Sequence, residues 1–349
     1  MKDFISEFGL TFKQTCLLFC LERQIVVDDI VSSKANGKLE DSVKKQAWLN
    51  AWDTSINNFL NNLKEEHNIL VDITKFDSKK LLEQILNEET SVGIKAWRYL
   101  ILLECTLFTP YFPLENTQDT DKENFIEKLK KLYDGLSLKE ESQKLSLLKT
   151  AELLNIDFKY IDIFKERYRE ALRSLSSFWK KVLLAGGTGM LIAVVIALLF
   201  INPIAGFFAA PGLAGAAAFS AGMAALGGGA IAAGGFGIAG GISVLVGGAL
   251  LIGGSTGVGI GTLLASPSEL VLTELAKMEV VLKEIILGIQ HDTKMIQEII
   301  MKLNDNLNNL RKEVARLHIE NEGNKKKIKN LEESIEYLKK AIDEFQKIK

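Results

Sequence analysis

From Val182 to Ser268 the chain carries no Asp, Glu, Lys, Arg or His, a run of 87 residues. Few folds accept this. A helix wetted on one face carries charge along that face, and ordinary core elements are far shorter. After Pro211-Gly212 the run is nearly all Ala and Gly, with scattered Leu, Ile, Val, Phe and Met. Three states compete: helices lodged permanently in a bilayer, a hairpin that is folded away and inserts conditionally, and a buried Gly-rich soluble core. The third fits worst, because so much Gly costs backbone entropy and supplies little packing surface.

Crossing a bilayer takes about 20 apolar residues. Val182–Ile201 meets this and predicts a transmembrane helix, interrupted after its end by Asn202-Pro203. Ile242–Leu264 predicts a second span. Ala214–Ala233 predicts a weaker one, since Ala and Gly bury little area. Trp179, Lys180 and Lys181 precede the run as an aromatic and basic cytoplasmic entry point would. Small residues recur at four-residue spacing: Ala217, Ala221, Ala225, Gly229, Ala233, Gly237 and Gly241, then more strictly Gly253, Gly257 and Gly261. That spacing puts them on one helix face, where missing side chains let two backbones approach. Residues 179–268 are therefore expected to form a membrane-inserting helical hairpin.

The long Gly/Ala-rich stretch between amphipathic helices resembles the apolipoprotein L family and its bacterial relatives. The residues that carry the likeness are Gly186-Gly187-Thr188-Gly189, Gly227–Gly229 and the run Gly253-Gly254-Ser255-Thr256-Gly257-Val258-Gly259-Ile260-Gly261. The resemblance covers about 90 residues and implies a channel-forming or membrane-active protein. The glycines are not a phosphate loop, which needs a following Lys-Ser/Thr, nor a dinucleotide fingerprint, which needs a preceding strand and a later acidic residue.

Residues 1–178 read as a soluble helical head. Trp48, Trp52, Ile56, Phe59, Leu60 and Leu63 recur at helical spacing, and Ile94–Phe108 is dense enough in apolar residues to predict a central helix. Pro110 and Pro113 end it. Asp134-Gly135 closes a further helix, and Ser137 with Glu140 has capping-box spacing. The stretch from Tyr133 to Asp157, with its Asp-Gly turn and its Leu-Leu-x-x-Ala-x-x-Leu helix, resembles the TerB-like (tellurite-resistance) helical domains over about 94–172. That resemblance implies a divalent metal site, which Asp134, Glu140 and Glu141 would inherit. The residues themselves also read as carboxylates complementing a helix dipole, and no cofactor is expected.

Residues 269–349 read as a long helix ending in a coiled coil. Ser266-Pro267-Ser268-Glu269 is a helix start. Leu303, Leu310, Leu317, Asn324, Leu331, Leu338 and Phe345 take d positions, and Ile300, Leu307, Val314, Asn321, Ile328, Ile335 and Ile342 take a positions. β-Branched residues at a with Leu at d favour two parallel strands. Asn321, Gly323 and Asn324 form a weak layer that is either a turn, giving an antiparallel hairpin, or a register-setting layer in a continuous helix. The unchanged heptad phase favours a continuous helix that pairs with a second copy or with the head. Leu270–Ile289 is apolar enough to pack on the head or on the Gly-rich stretch.

Charge excludes one function class. Residues 269–349 hold 15 Lys+Arg and 15 Asp+Glu, so no basic surface points to nucleic acid. Cys16, Cys20 and Cys105 are too few for a disulfide framework. His67, His291 and His318 are scattered, and no nucleophile, zinc or nucleotide constellation is present. The expectation is an all-α, non-enzymatic protein with a helical head, an inserting hairpin and a C-terminal coiled coil. It would be a pore-forming-like effector or toxin that permeabilises a membrane after triggering or oligomerisation. Its partners would be the lipid bilayer, further copies through the coiled coil, and a protein that engages the head. The alternative is a membrane-anchored scaffold that recruits partners through its coiled coil. Either would sit in the cytoplasm, at the inner (plasma) membrane, or both, with head and tail cytosolic.

Overall fold

A computed structural model describes residues 8–63, 70–89, 95–111, 133, 135–177, 244–252, 268–320 and 325–348. The chain is all-α. Among the described residues the only sheet is a two-residue pair, β1 (Gly9–Leu10) antiparallel to β2 (Val244–Leu245).

α1 (Phe12–Ala35) starts at a capping box. The Gln14 N–H donates to Thr11 Oγ1, and the Thr11 N–H donates to Gln14 Oε1 at 3.0 Å, so two orphan helix-end donors are satisfied. α1 lies among α2 (Leu39–Leu63), α3 (Ser78–Glu88), α4 (Ala96–Leu107) and α5 (Glu140–Leu153). The aromatic stripe of α2 does what its spacing predicts. Trp48 and Trp52 stack at 6.2 Å, and the edge of Phe19 meets both Trp52 and Phe59. α4 is central: Leu100 to Leu107 are all buried, and α1, α5 and α6 (Lys159–Leu175) pack on it.

The turn before α5 departs from expectation. Gly135 has φ +80°, which suits glycine. Ser137, however, caps nothing. The cap position is Lys139, with no side-chain cap bond, and the Ser137 carbonyl instead accepts from Lys45 Nζ at 2.9 Å.

The tail is a bundle of three rods. α7 (Ser268–Val280) continues as a π-helix over Val281–Gln290, which ends at His291 in the left-handed region, φ 57°. α8 (Thr293–Glu320) then packs back on the π-helix, and α9 (Lys325–Phe345) packs on both α8 and α7. The expected continuous helix is thus two helices in contact. α8 is about 42 Å long, whereas the four residues separating it from α9 reach at most about 18 Å. Two rods packed side by side through so short a link run antiparallel. Ser268 fixes the start of α7 against α9: its N–H donates to Asn330 Oδ1 and its hydroxyl to Glu333 Oε2, each at 2.7 Å.

The heptad seam is filled by the chain itself. Leu303, Leu307, Leu310, Leu317, Ile328, Leu331, Leu338 and Ile342 are buried, and Val314 and Ile335 pack half-buried on the same core. α7 packs on α6, so the apolar core runs from head to tail without a break.

The expected transmembrane helices are corrected here. Among the described residues no helix is long and apolar enough to cross a membrane. The span expected over Ile242–Leu264 is interrupted within its first half: Val244 and Leu245 pair with β1, Gly247 and Gly248 turn at φ +64° and +84°, and a short 3₁₀ turn follows over Ala249–Leu251. Two successive left-handed residues cannot belong to an α-helix. The other two expected spans lie outside the described residues.

Candidate functional site

The uncharged run re-enters the described structure at Val244, between head and tail. Its backbone is satisfied from three directions. β1 supplies ladder bonds, and Phe8 O accepts from the Val246 N–H at 3.1 Å. The Gly247 N–H donates to Glu104 Oε1 of α4 at 2.8 Å. The buried Asn306 of α8 donates from Nδ2 to Leu251 O at 2.7 Å. Val246, Ala249, Leu251 and Ile252 are buried.

Glycine is required at this turn. A Cβ on Gly248 would lie 2.3 Å from Glu274 O and 2.8 Å from Met278 Cβ, and one on Gly247 would lie 2.7 Å from Val281 Cγ2. The turn therefore sits directly on α7 and on the start of the π-helix, closer than any side chain allows.

Beneath it lies a cluster of buried charges. Exposure is 3% for Glu22 of α1, 5% for Glu104, 2% for Glu274 and 1% for Lys277 of α7. Lys277 Nζ donates to both Glu104 oxygens at 3.2 Å and stands 2.7 Å from Glu274 Oε1. Burial alone would drive the proton off Lys277, but Glu104 and Glu274 together outweigh it and hold the ammonium charged, above its ordinary range. Burial raises Glu22 well above the usual carboxylate range, with the Glu104 charge adding and Lys277 opposing. Burial also raises Glu274. Cys105, fully enclosed beside Glu22 and Glu104, is raised well above the thiol range by the same desolvation. The Tyr168 hydroxyl of α6 faces Glu274 and Glu104, is held neutral by burial, and has no hydrogen-bond partner among the described residues.

A second buried network anchors Ser137 and Lys139, just before α5. Asp29 of α1 accepts from Lys45 Nζ at 2.5 Å, from Tyr111 Oη at 2.6 Å and from the Lys139 N–H at 2.9 Å. Its charge is thus paired and its oxygens are filled, as burial demands. Tyr111, at φ 69°, also sets its ring against Trp48 at 5.4 Å.

The expected site residues separate accordingly. Glu140 and Glu141 are exposed in the first turn of α5. Among the described residues no group of three or more His, Cys, Asp or Glu is arranged to hold a metal. Asp134, Trp179, Lys180, Lys181, Gly229, Gly237, Gly241, Gly253, Gly257, Gly261 and Asn321 lie outside the described residues. Glu22, Glu104, Glu274 and Lys277 escaped the sequence reading. Their signal was a single charge set in an apolar run, as in Leu102-Leu103-Glu104-Cys105.

Comparison with protein-family models, with curated proteins and with solved structures finds no match.

Proposed function

We propose that this protein is a non-enzymatic, membrane-permeabilising effector held in a closed form, in which its own helical body grips part of the uncharged stretch. The observation that carries the proposal is the seating of residues 244–252. Val246–Ala249, Leu251 and Ile252 are buried against head and tail, the chain is bent by two glycines, and Glu104 and Asn306 hydrogen-bond it. An 87-residue run without a charge has little to offer water, so a body that fastens part of it also controls when the rest meets lipid. No preformed spanning helix enters this proposal. The partner is a lipid surface. The seam residues of α8 and α9 serve the closed body and not a second copy.

The test is dye release from phospholipid vesicles by the purified full-length chain. Wild-type protein is expected to release dye slowly. Gly248→Ala, which cannot seat the turn, is expected to release it faster at equal concentration. If Gly248→Ala and Lys277→Met, both helical by circular dichroism, leave vesicles as tight as buffer does, the proposal fails. Wash-resistant binding without leakage would point instead to an anchored scaffold.

A further inference from the structure

The cluster under Gly247 is unbalanced. Among the described residues Glu104 and Glu274 both contact one ammonium, Lys277, Glu22 feels the charges of Glu104 and Lys277, and all four are buried. They come from three helices, α1, α4 and α7. One ammonium cannot neutralise three carboxylates, and an enclosed site does not hold a net charge of two. Among the described residues the charged groups on the surrounding elements point elsewhere: Arg98 of α4 lies over the Trp97 ring and donates to Leu154 O at 3.4 Å. Arg23 binds Asp53 and Asp29 binds Lys45, both across to α2. Asp28 meets Lys149 of α5, and Lys13 meets Glu88 of α3. Beside α7, Glu279 pairs with Lys283, Arg167 of α6 pairs with Glu284, and Glu333 of α9 accepts from Ser268. Tyr168 and Cys105 bring protons that they keep.

We propose that the grip on residues 244–252 is proton-loaded: the closed cluster carries at least one carboxyl proton, on Glu22, and undocking of the Gly247-Gly248 turn releases it. The turn is the lid over the cluster, because Gly247 donates to the same Glu104 oxygen that Lys277 contacts. When the turn lifts, water reaches the carboxylates and Glu22 returns to its ordinary range. Glu22 and Glu274 are raised in the closed form, so the closed form binds more protons than the open one. Its advantage is full below the ordinary glutamate range and is lost as pH rises through the raised values. The grip loosens toward alkaline pH and tightens in mild acid, opposite to an effector triggered by acidification.

The proposal rests on the closed form and not on lipid activity, so its test uses no membrane. Hydrogen exchange of the 244–252 segment is followed in full-length protein from pH 6 to pH 8 and corrected for the intrinsic rate. The opening constant of the wild type is expected to rise with pH, by up to tenfold per unit for each proton released. Glu22→Gln, which cannot titrate, is expected to lose one order per unit of that rise. A wild-type constant that is flat or falls over this range overturns the proposal, whether or not the variant folds. An equally steep rise in a folded Glu22→Gln protein removes Glu22 from it. Vesicle leakage can fail independently of either result.

Discussion

One oxygen of Glu104 serves two other segments of the protein: Oε1 accepts the Gly247 N–H at 2.8 Å and faces Lys277 Nζ at 3.2 Å. A single carboxylate on the central helix thus joins the uncharged stretch to the tail bundle. Removing one partner of a buried pair strands the other, at a cost of about 3–5 kcal/mol. Lys277→Met is expected to lower stability by about that amount in urea unfolding. Glu104→Leu combined with Lys277→Met should cost clearly less than the two single changes added together. Strict additivity would show that the pair is not coupled.

Gly248 and Gly37 separate conformation from space. Both have positive φ, but a Cβ on Gly37 meets nothing within 4 Å, whereas on Gly248 it meets backbone at 2.3 Å. Gly37→Ala should cost about 1–2 kcal/mol, the left-handed penalty alone. Gly248→Ala should cost more and should raise hydrogen exchange throughout residues 244–252. Equal costs for the two would mean that the turn is not pressed onto α7.

Asp29 receives three donors in a buried site. Asp29→Ala leaves the Lys45 ammonium buried without its carboxylate and is expected to cost about 3–5 kcal/mol. Lys45→Met in the same protein should recover part of the loss. The measurement is the urea midpoint of the single and double variants.

The α8–α9 seam is closed within one chain, so its contribution should not depend on protein concentration. Leu331→Ala and Leu303→Ala, both at fully buried positions, are each expected to cost about 2–5 kcal/mol. The unfolding midpoint should be the same at low and high micromolar protein. A midpoint that climbs with concentration would place the seam between copies.

Periodicity made much of this fold legible. Trp48, Trp52, Ile56, Phe59 and Leu60 lie on the buried face of α2, the density of apolar residues marks α4 as central, and Ser268 begins α7. Periodicity misled in the tail for a physical reason. An antiparallel hairpin can present the same heptad stripe on both arms, so an unbroken phase across Asn321–Asn324 does not distinguish a rod from two. The site was hidden differently. Gly247 and Gly248 stand among many glycines, and what sets them apart is their positive φ with the approach of Val281 to Gly247 and of Glu274 O and Met278 to Gly248. Glu22, Glu104 and Lys277 are far apart in sequence, and each alone looks like a solvated helix charge. Their meaning arises when three helices bring them together without water.

The π-helix over Val281–Gln290 holds ten residues wound with i→i+5 bonds, where such winding usually lasts a single turn. More residues per turn make a wider and shorter rod than the same residues in α-helical form. The chain therefore stores length at this point, directly under the Gly247 turn that presses on Val281. The same ten residues wound as α-helix would make a longer rod. The seat of the turn and the start of the shortened rod therefore meet at one residue, Val281.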